Sequence, residues 1–237
     1  IENFKIDSVN VNSKLYFEGK ISKLNEISGQ LIIPKAFLNN IDLSGLTADI
    51  LLSRKNIEVT NLNNKNGLSG KFAYDFTARR YDSSLKISKA DISKHIAGIQ
   101  GNLYSDFELK GFSANPDLKI LFNLKQGVFS GIDFNSSGDF EYKNKNGKLN
   151  KFSVISGKTN ISGSGVITSN NNIDISLKIN NITEKIINNY VKFRTPVTGI
   201  FNGTGKIYGM LNNPKCLLNL YSKNVYFKNL KLNDFNA

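Results

Sequence analysis

Residues 173–179 read IDISLKI, so isoleucine or leucine occupies every odd position and a polar residue every even one. Successive side chains of a β-strand point to opposite faces of the sheet, so this stretch predicts a strand with one apolar and one polar face. The same alternation recurs at residues 72–78 and, interrupted once by Leu121, at residues 118–124. Such strands are typical of antiparallel sheet, because parallel strands are usually buried on both faces.

Asparagine and glycine punctuate these strands, as in Asn63–Gly67, Lys145–Gly147 and the three asparagines at 170–172. Asn-Gly pairs tolerate positive φ and are typical of hairpin turns. Two short helices are expected, one over Glu184–Phe193 behind a Thr183 cap and one turn at Asp91–His95. The predicted fold class is therefore all-β: a repetitive, mainly antiparallel β-sheet, curled into an open trough with an apolar interior, with one or two short helices.

An internal repeat is visible once the prolines are aligned. The spacing Gly101-x9-Gly111-x4-Pro116 recurs as Gly199-x9-Gly209-x4-Pro214, and these six residues are predicted to mark structural turns. Apolar residues match between the two copies, and apolar-Ser-Gly triplets recur along the chain. Glycine inside a strand weakens it, so its recurrence indicates bulges or coiling at fixed places.

The repeat divides the chain into a β-rich unit at 1–95, a second at 96–195 that ends in the short helix, and the start of a third at 196–237. The chain begins with Ile1 and stops at Ala237 within an alternating stretch. We therefore expect a segment of a longer protein, in which the rest of the same chain continues the sheet. No apolar stretch approaches the roughly 20 residues that a membrane-spanning helix needs.

Lys and Arg number 31 against 19 Asp and Glu, for a formal net charge of +12. This excess would suit nucleic acid or an anionic lipid surface. The basic residues are dispersed, however, and alternate with apolar ones as on the outer face of strands. Because no basic cluster is interleaved with aromatic residues, we expect no nucleic-acid partner.

Few residues in the chain could carry catalysis. His95 is the only histidine, and Cys216, the only cysteine, matches Leu118 in the repeat, which indicates a small core or groove residue. Asp133, Asp139 and Glu141 lie close together without the ligand spacing of a calcium loop. We expect no enzyme activity, no catalytic residues, no metal and no cofactor.

The Gly-x9-Gly-x4-Pro frame, the turn Gly147-Lys148-Leu149 and the strand Ile173–Leu177 together resemble the TamB family, the translocation and assembly module, and its AsmA-like relatives. The resemblance covers nearly the whole chain, most clearly from about Ile96 onward. It implies a bridge-type lipid transfer protein of Gram-negative bacteria, with a taco-like β-sheet in the periplasm and a tether to the inner membrane outside this segment. The implied role is lipid transport between inner and outer membranes, assistance to outer-membrane protein assembly and secretion, or both.

The implied partners are phospholipid acyl chains and, by family analogy, an outer-membrane assembly barrel. The acyl chains are expected on one continuous apolar face, lined by Leu118, Ile120, Phe122, Leu124, Ile173, Ile175, Leu177, Ile179, Leu218 and Leu220. The alternation alone fits a closed sandwich equally well. A structural or adhesin-like β-solenoid, or a passenger segment of a cell-surface protein, is the alternative, although solenoids repeat at shorter intervals.

Overall fold

The computed structural model describes residues 9–18, 26–38, 41–42, 44–65, 67–93, 98–184, 186–187, 197–227 and 230–236. These residues form sixteen β-strands. Their bounds are β1 Val9–Glu18, β2 Glu26–Leu38, β3 Ile41–Asp42, β4 Leu46–Ser53, β5 Asn56–Asn63, β6 Leu68–Asp75, β7 Arg80–Asp91, β8 Ile99–Phe112, β9 Asn115–Phe129, β10 Ile132–Lys143, β11 Asn146–Ser156, β12 Thr159–Ile167, β13 Asn172–Thr183, β14 Val197–Met210, β15 Asn213–Phe227 and β16 Leu230–Asn236.

The strands lie in the sheet in the order in which they occur in the chain, from β1 to β16, and β3 adds a short pair to β2 alone. Pairing is antiparallel between chain neighbours, as short hairpin connections require. The prediction of an all-β, antiparallel fold is confirmed. A parallel β-helix would stack its rungs in parallel, which is not the pairing of the described strands.

The chain forms two compact units, Ile1–Phe122 and Asn123–Ala237, called unit 1 and unit 2 below; strand β9 contributes to both. The predicted repeat boundaries, at 95/96 and 195/196, fall on residues outside the described ranges. The division into repeats therefore stays a prediction. It is a different division from that into compact units.

The predicted repeat has matching strands. Strand β8 begins at Ile99 and β14 at Val197, 98 residues later, and both contain 14 residues. Strands β9 and β15 begin 98 residues apart as well, at Asn115 and Asn213, and both contain 15 residues. The equivalence inferred from the Gly-Pro frame therefore corresponds to two hairpins of equal strand lengths.

The six residues predicted to mark turns lie inside strands β8, β9, β14 and β15, so that prediction is wrong in detail. The turns are Ser113-Ala114 and Leu211-Asn212, one residue beyond Phe112 or Met210. Gly209 pairs with Pro214 across its hairpin, and both Gly111 (φ +102°) and Gly209 (φ +98°) have a left-handed backbone. Glycine adopts this backbone without steric cost, which lets the strand close onto the tight turn.

The predicted helices are short. Helical backbone follows β13 at Glu184, Ile186 and Ile187, and the remainder of the Glu184–Phe193 prediction lies outside the described residues. Asp91 ends β7 as a strand residue, and its Oδ1 accepts a hydrogen bond of 2.9 Å from the Ser93 backbone N–H. This contact fits an Asx-type turn and a helix N-cap alike; because residues 94–95 lie outside the described residues, the helical turn at Asp91–His95 stays a prediction.

Bulges recur on strands that run in the same direction. One extra residue interrupts the pairing of β5, β7, β11, β13 and β15. Asn61 in β5, Asn181 in β13 and also Gln126 in β9 have φ between +52° and +55°. A bulge bends its strand and increases the local twist. Each bulge also shifts the alternation by one residue, so it decides which side chains reach the apolar face.

Candidate functional site

The strand register places apolar side chains of unit 1 on one face. Directly paired residues of antiparallel strands lie on the same face. One cross-strand row contains Ile27, Leu52, Ile57, Tyr74 and Tyr81, and the next contains Gly29, Ile50, Val59, Phe72 and Ser83. The opposite face carries residues such as Glu58, Lys71 and Asp82. Unit 1 therefore has an apolar face and a polar face, as the alternation predicted.

Aromatic contacts reinforce this face at β6 and β7. The rings of Tyr74 and Tyr81 lie 5.1 Å apart between centroids, and those of Phe72 and Tyr81 6.4 Å apart. Such tilted pairs stabilise beyond the area that they bury. Ser83 is the buried polar residue among them.

The first three predicted groove residues belong to unit 1. Gly111 pairs with Tyr81, and a Cβ placed on Gly111 would lie 3.8 Å from the Cα of Pro116. Pro116 therefore lies opposite Gly111, on the apolar face. Every second residue after it shares that face, which places Leu118, Ile120 and Phe122 there, each half-buried.

Six further predicted residues share the apolar face of unit 2. Two cross-strand rows show this: Gly138, Phe152, Gly163, Leu177, Gly205 and Leu218 form one, and Ser136, Val154, Ile161, Ile179, Gly203 and Leu220 form the other. Ile173 and Ile175 lie four and two positions before Leu177 on the same face. Leu124 is buried as well.

Large side chains on the apolar face of unit 2 lie across glycines of the neighbouring strands. A Cβ on Gly163 would lie 2.7 Å from Leu177 Cδ2, and one on Gly205 would lie 2.8 Å from Leu218 Cδ2. Phe134 covers Gly127 in the same way. Side chains of adjacent strands thus compensate for the missing side chain of glycine, as in aromatic rescue, and they leave a surface of low relief.

The bulge in β13 determines the core of unit 2. It frees a backbone N–H and a carbonyl at Asn181, and flanking side chains satisfy both, as buried backbone groups require. Asn202 Oδ1 accepts from the Asn181 N–H at 2.9 Å, and Thr159 Oγ1 donates to the Asn181 carbonyl at 2.7 Å. The shift directs Ile182 to the apolar face, opposite Phe201.

That core is small. Ile179, Ile182, Ile187, Phe201 and Val225 form a buried cluster, in which Val225 is 1% exposed. In contrast, Leu218 on the same face is 46% exposed, and Cys216 beside it is exposed too. Cys216 is therefore not a core residue, because β15 has no covering layer there among the described residues; of the two predicted positions, core or groove, the groove position stays a prediction.

Several apolar side chains on these apolar faces are only partly covered, among them Leu118, Ile120, Phe122, Ile173, Ile175 and Leu177. Eight apolar side chains of the described residues are buried. Much of the apolar face is therefore accessible, which distinguishes it from the interior of a closed sandwich.

The other face of unit 2 is mixed at β14 and β15. Lys206 Nζ lies 3.0 Å from Asp174 Oδ2 on that face, with both side chains about half exposed. Ile200, Leu217 and Tyr221 also lie there and are exposed. The predicted polar face is therefore mixed on this hairpin.

The described residues bring together few groups that could carry chemistry. No set of three His, Cys, Asp or Glu side chains among them could hold a metal ion. His95 lies outside the described ranges. Asp139 Oδ1 is buried without a hydrogen-bond partner in the part of the chain that the structure describes. Within the same ranges, no helix is long and apolar enough to cross a membrane.

Comparison with known proteins yields no relatives: no family model, no curated protein and no solved structure matches the chain.

Proposed function

We propose that the chain is a non-enzymatic segment of a TamB- or AsmA-like protein whose apolar faces hold the acyl chains of phospholipids. In that role it would support lipid transport between the inner and outer membranes, or the assembly of outer-membrane proteins, from a position in the periplasm. The single observation that carries the proposal is the accessible apolar face of each unit. Its rows of Ile, Leu, Val and Phe are set by register and are only partly covered.

The energetics favour acyl chains as the occupants of this face. Each methylene removed from water contributes about 0.8 kcal/mol. Ten methylenes laid on the face would therefore contribute about 8 kcal/mol before the entropic cost of ordering the chain. The polar groups on the face do not compete for water, since Thr159 and Ser105 donate to backbone carbonyls at 2.7 Å.

The repeat supports the assignment to a bridge-like protein. Two hairpins of equal strand lengths recur 98 residues apart, and the described strands follow one another in the sheet in chain order, with β3 paired to β2 alone. A sheet built in this way lengthens by adding hairpins at either end without changing its cross-section. The same face would then continue from one repeat to the next.

A pair of adjacent substitutions tests the proposal. Leu177→Asp places a carboxylate on the apolar face, whereas the matched control Ser176→Asp places it on the opposite, exposed face. We expect Leu177→Asp to abolish photo-crosslinking to a phospholipid with a photoreactive acyl chain, because ionised groups are costly to remove from water. Ser176→Asp should crosslink like the wild type. Equal crosslinking by the two folded variants would refute the lipid face.

The second candidate is a structural or adhesin-like surface module. The observation in its favour is the exposed apolar set on the mixed face, at Ile200, Leu217 and Tyr221, since exposed apolar patches often mark protein contacts. If Leu177→Asp unfolds the chain and no phospholipid crosslinks to the wild type, the apolar face is a core and this candidate is favoured.

A further inference from the structure

The chain covers one end of its own apolar face in unit 2. After β13, Ile186 and Ile187 lie on helical backbone. Ile187 is 7% exposed in the cluster with Ile179, Phe201 and Val225, and Ile186 packs against that cluster. The apolar face thus already binds branched aliphatic groups at this end, and they come from outside the sheet.

The uncovered part of the face continues directly from this contact. Along β13 the next apolar residues are Leu177, Ile175 and Ile173, all half-buried. Glycines flank them at Gly163 on β12 and Gly205 on β14, so the surface beside Leu177 has low relief. The face stays apolar beyond the end of the helical turn. What changes there is that the turn no longer covers it.

The length of the uncovered part fits one acyl chain. Four residues separate Ile173 from Leu177, which is about 14 Å along a strand. A bilayer has a hydrocarbon core of about 30 Å, so one acyl chain spans roughly 15 Å. A chain lying parallel to β13 would therefore fill the distance between the strand's first residues and the helical turn.

We propose that a straight acyl chain lies along β13 with its methyl end against Ile186 and Ile187, so that the helical turn limits the chain length that unit 2 accepts. This inference rests on the proposed function and deepens it, because it specifies one ligand class, its direction on the sheet and the residues that stop it. A chain lying across the strands would not meet this stop.

Binding of saturated fatty acids from octanoate to stearate to the purified chain tests the inference. Affinity should rise about twofold with each methylene, because a chain lying on an open face has about half of its surface removed from water, until the chain reaches the turn, near dodecanoate, and then stop rising. Ile186→Ala makes the side chain that blocks the acyl chain smaller. It should therefore shift this limit, the chain length at which affinity stops rising, to longer acids. Ile200→Ala is the matched control, because it makes the same change at an exposed side chain on the opposite face and should leave the limit unchanged.

The outcomes separate the two proposals. If no fatty acid binds, the proposed function fails. If affinity rises through stearate without a limit, or if folded Ile186→Ala keeps the wild-type limit, acyl chains bind but the helical turn does not stop them. Should Ile186→Ala unfold, Ile186→Val replaces it, and the same shift, smaller in size, is expected; an unchanged limit in that variant overturns the inference.

Discussion

Gly203 and Gly205 lie two residues apart on the same face of β14, but different atoms surround them. A Cβ on Gly203 would lie 2.1 Å from the backbone oxygen of Asn219. That oxygen is fixed by the sheet, so the two strands must shift. A Cβ on Gly205 would meet only side chains, the nearest being Leu218 Cδ2 at 2.8 Å. Leu218 is 46% exposed and can rotate away.

These surroundings give different expected costs for the two alanine variants. Overpacking that moves backbone costs about 1–3 kcal/mol, and alanine recovers about 0.5–1 kcal/mol of chain entropy relative to glycine at either position. Gly203→Ala should therefore be less stable than Gly205→Ala by about 1–3 kcal/mol. For a chain of this length, that difference lowers the melting temperature by about 2–12 °C.

Thermal melts and urea titrations of the two variants, followed by circular dichroism, measure the difference. Gly205→Ala should melt at or above the wild-type temperature. Melting temperatures that fall equally, or a larger fall for Gly205→Ala, would show that the cross-strand contacts of these glycines do not control the packing of the face.

Two further predictions concern one strand residue with a left-handed backbone and the bulge in β13. Gln126 has φ +54° without being glycine, so Gln126→Gly should raise the free energy of unfolding by about 0.5–1 kcal/mol. The control Lys125→Gly, at the neighbouring residue, should lower it by a similar amount. If chemical denaturation shows both variants changing the free energy of unfolding in the same direction, Gln126 is not strained. Thr159→Val removes the 2.7 Å hydrogen bond to the Asn181 carbonyl and should lower the free energy of unfolding by about 1–3 kcal/mol. The control Thr204→Val, on the exposed face, should not lower it in this way. If Thr159→Val lowers it by less than about 0.5 kcal/mol, as a surface substitution does, the bulge does not depend on this bond.

The sequence alone predicts the faces wherever alternation is uninterrupted. The period of two in residues 173–179 places Ile173 and Leu177 on one face, as the pairing with Gly209 and Gly205 shows. The Gly-Pro frame also predicts equivalent hairpins, because its spacing fixes where two strands must turn. The error in this prediction was to place the turn at the proline, whereas Pro214 is already paired within β15.

The bulges could not be predicted residue by residue. Asn61 and Asn181 offer only a weak signal, since asparagine tolerates the left-handed backbone but is common throughout the chain. Each extra residue reverses the alternation after it. Ile182 therefore lies in the core only because of the bulge at Asn181, which Thr159 and Asn202 stabilise by hydrogen bonds from other strands. Local pattern contains no information about these bonds.

How much of the apolar face is covered by other residues could not be predicted from the sequence either. A sandwich core and an accessible face share the same alternation, and only packing separates them. The helical turn was predicted from its cap and apolar spacing. The contact of this turn with Phe201 and Val225 was not predicted. Both residues lie 14 or more positions after Ile187 in the sequence and are brought to it by the strands of the sheet.

Crosslinking along β13 tests the central claim most directly. A photoreactive side chain would be placed in turn at each position from Ile173 to Leu177 of the folded chain, and lipid adducts would be measured by mass spectrometry after incubation with phospholipid vesicles. Adducts at odd positions and none at even ones, with a period of two, are predicted, because odd residues lie on the apolar face. Adducts at even positions, or no adduct at any position, would contradict the claim.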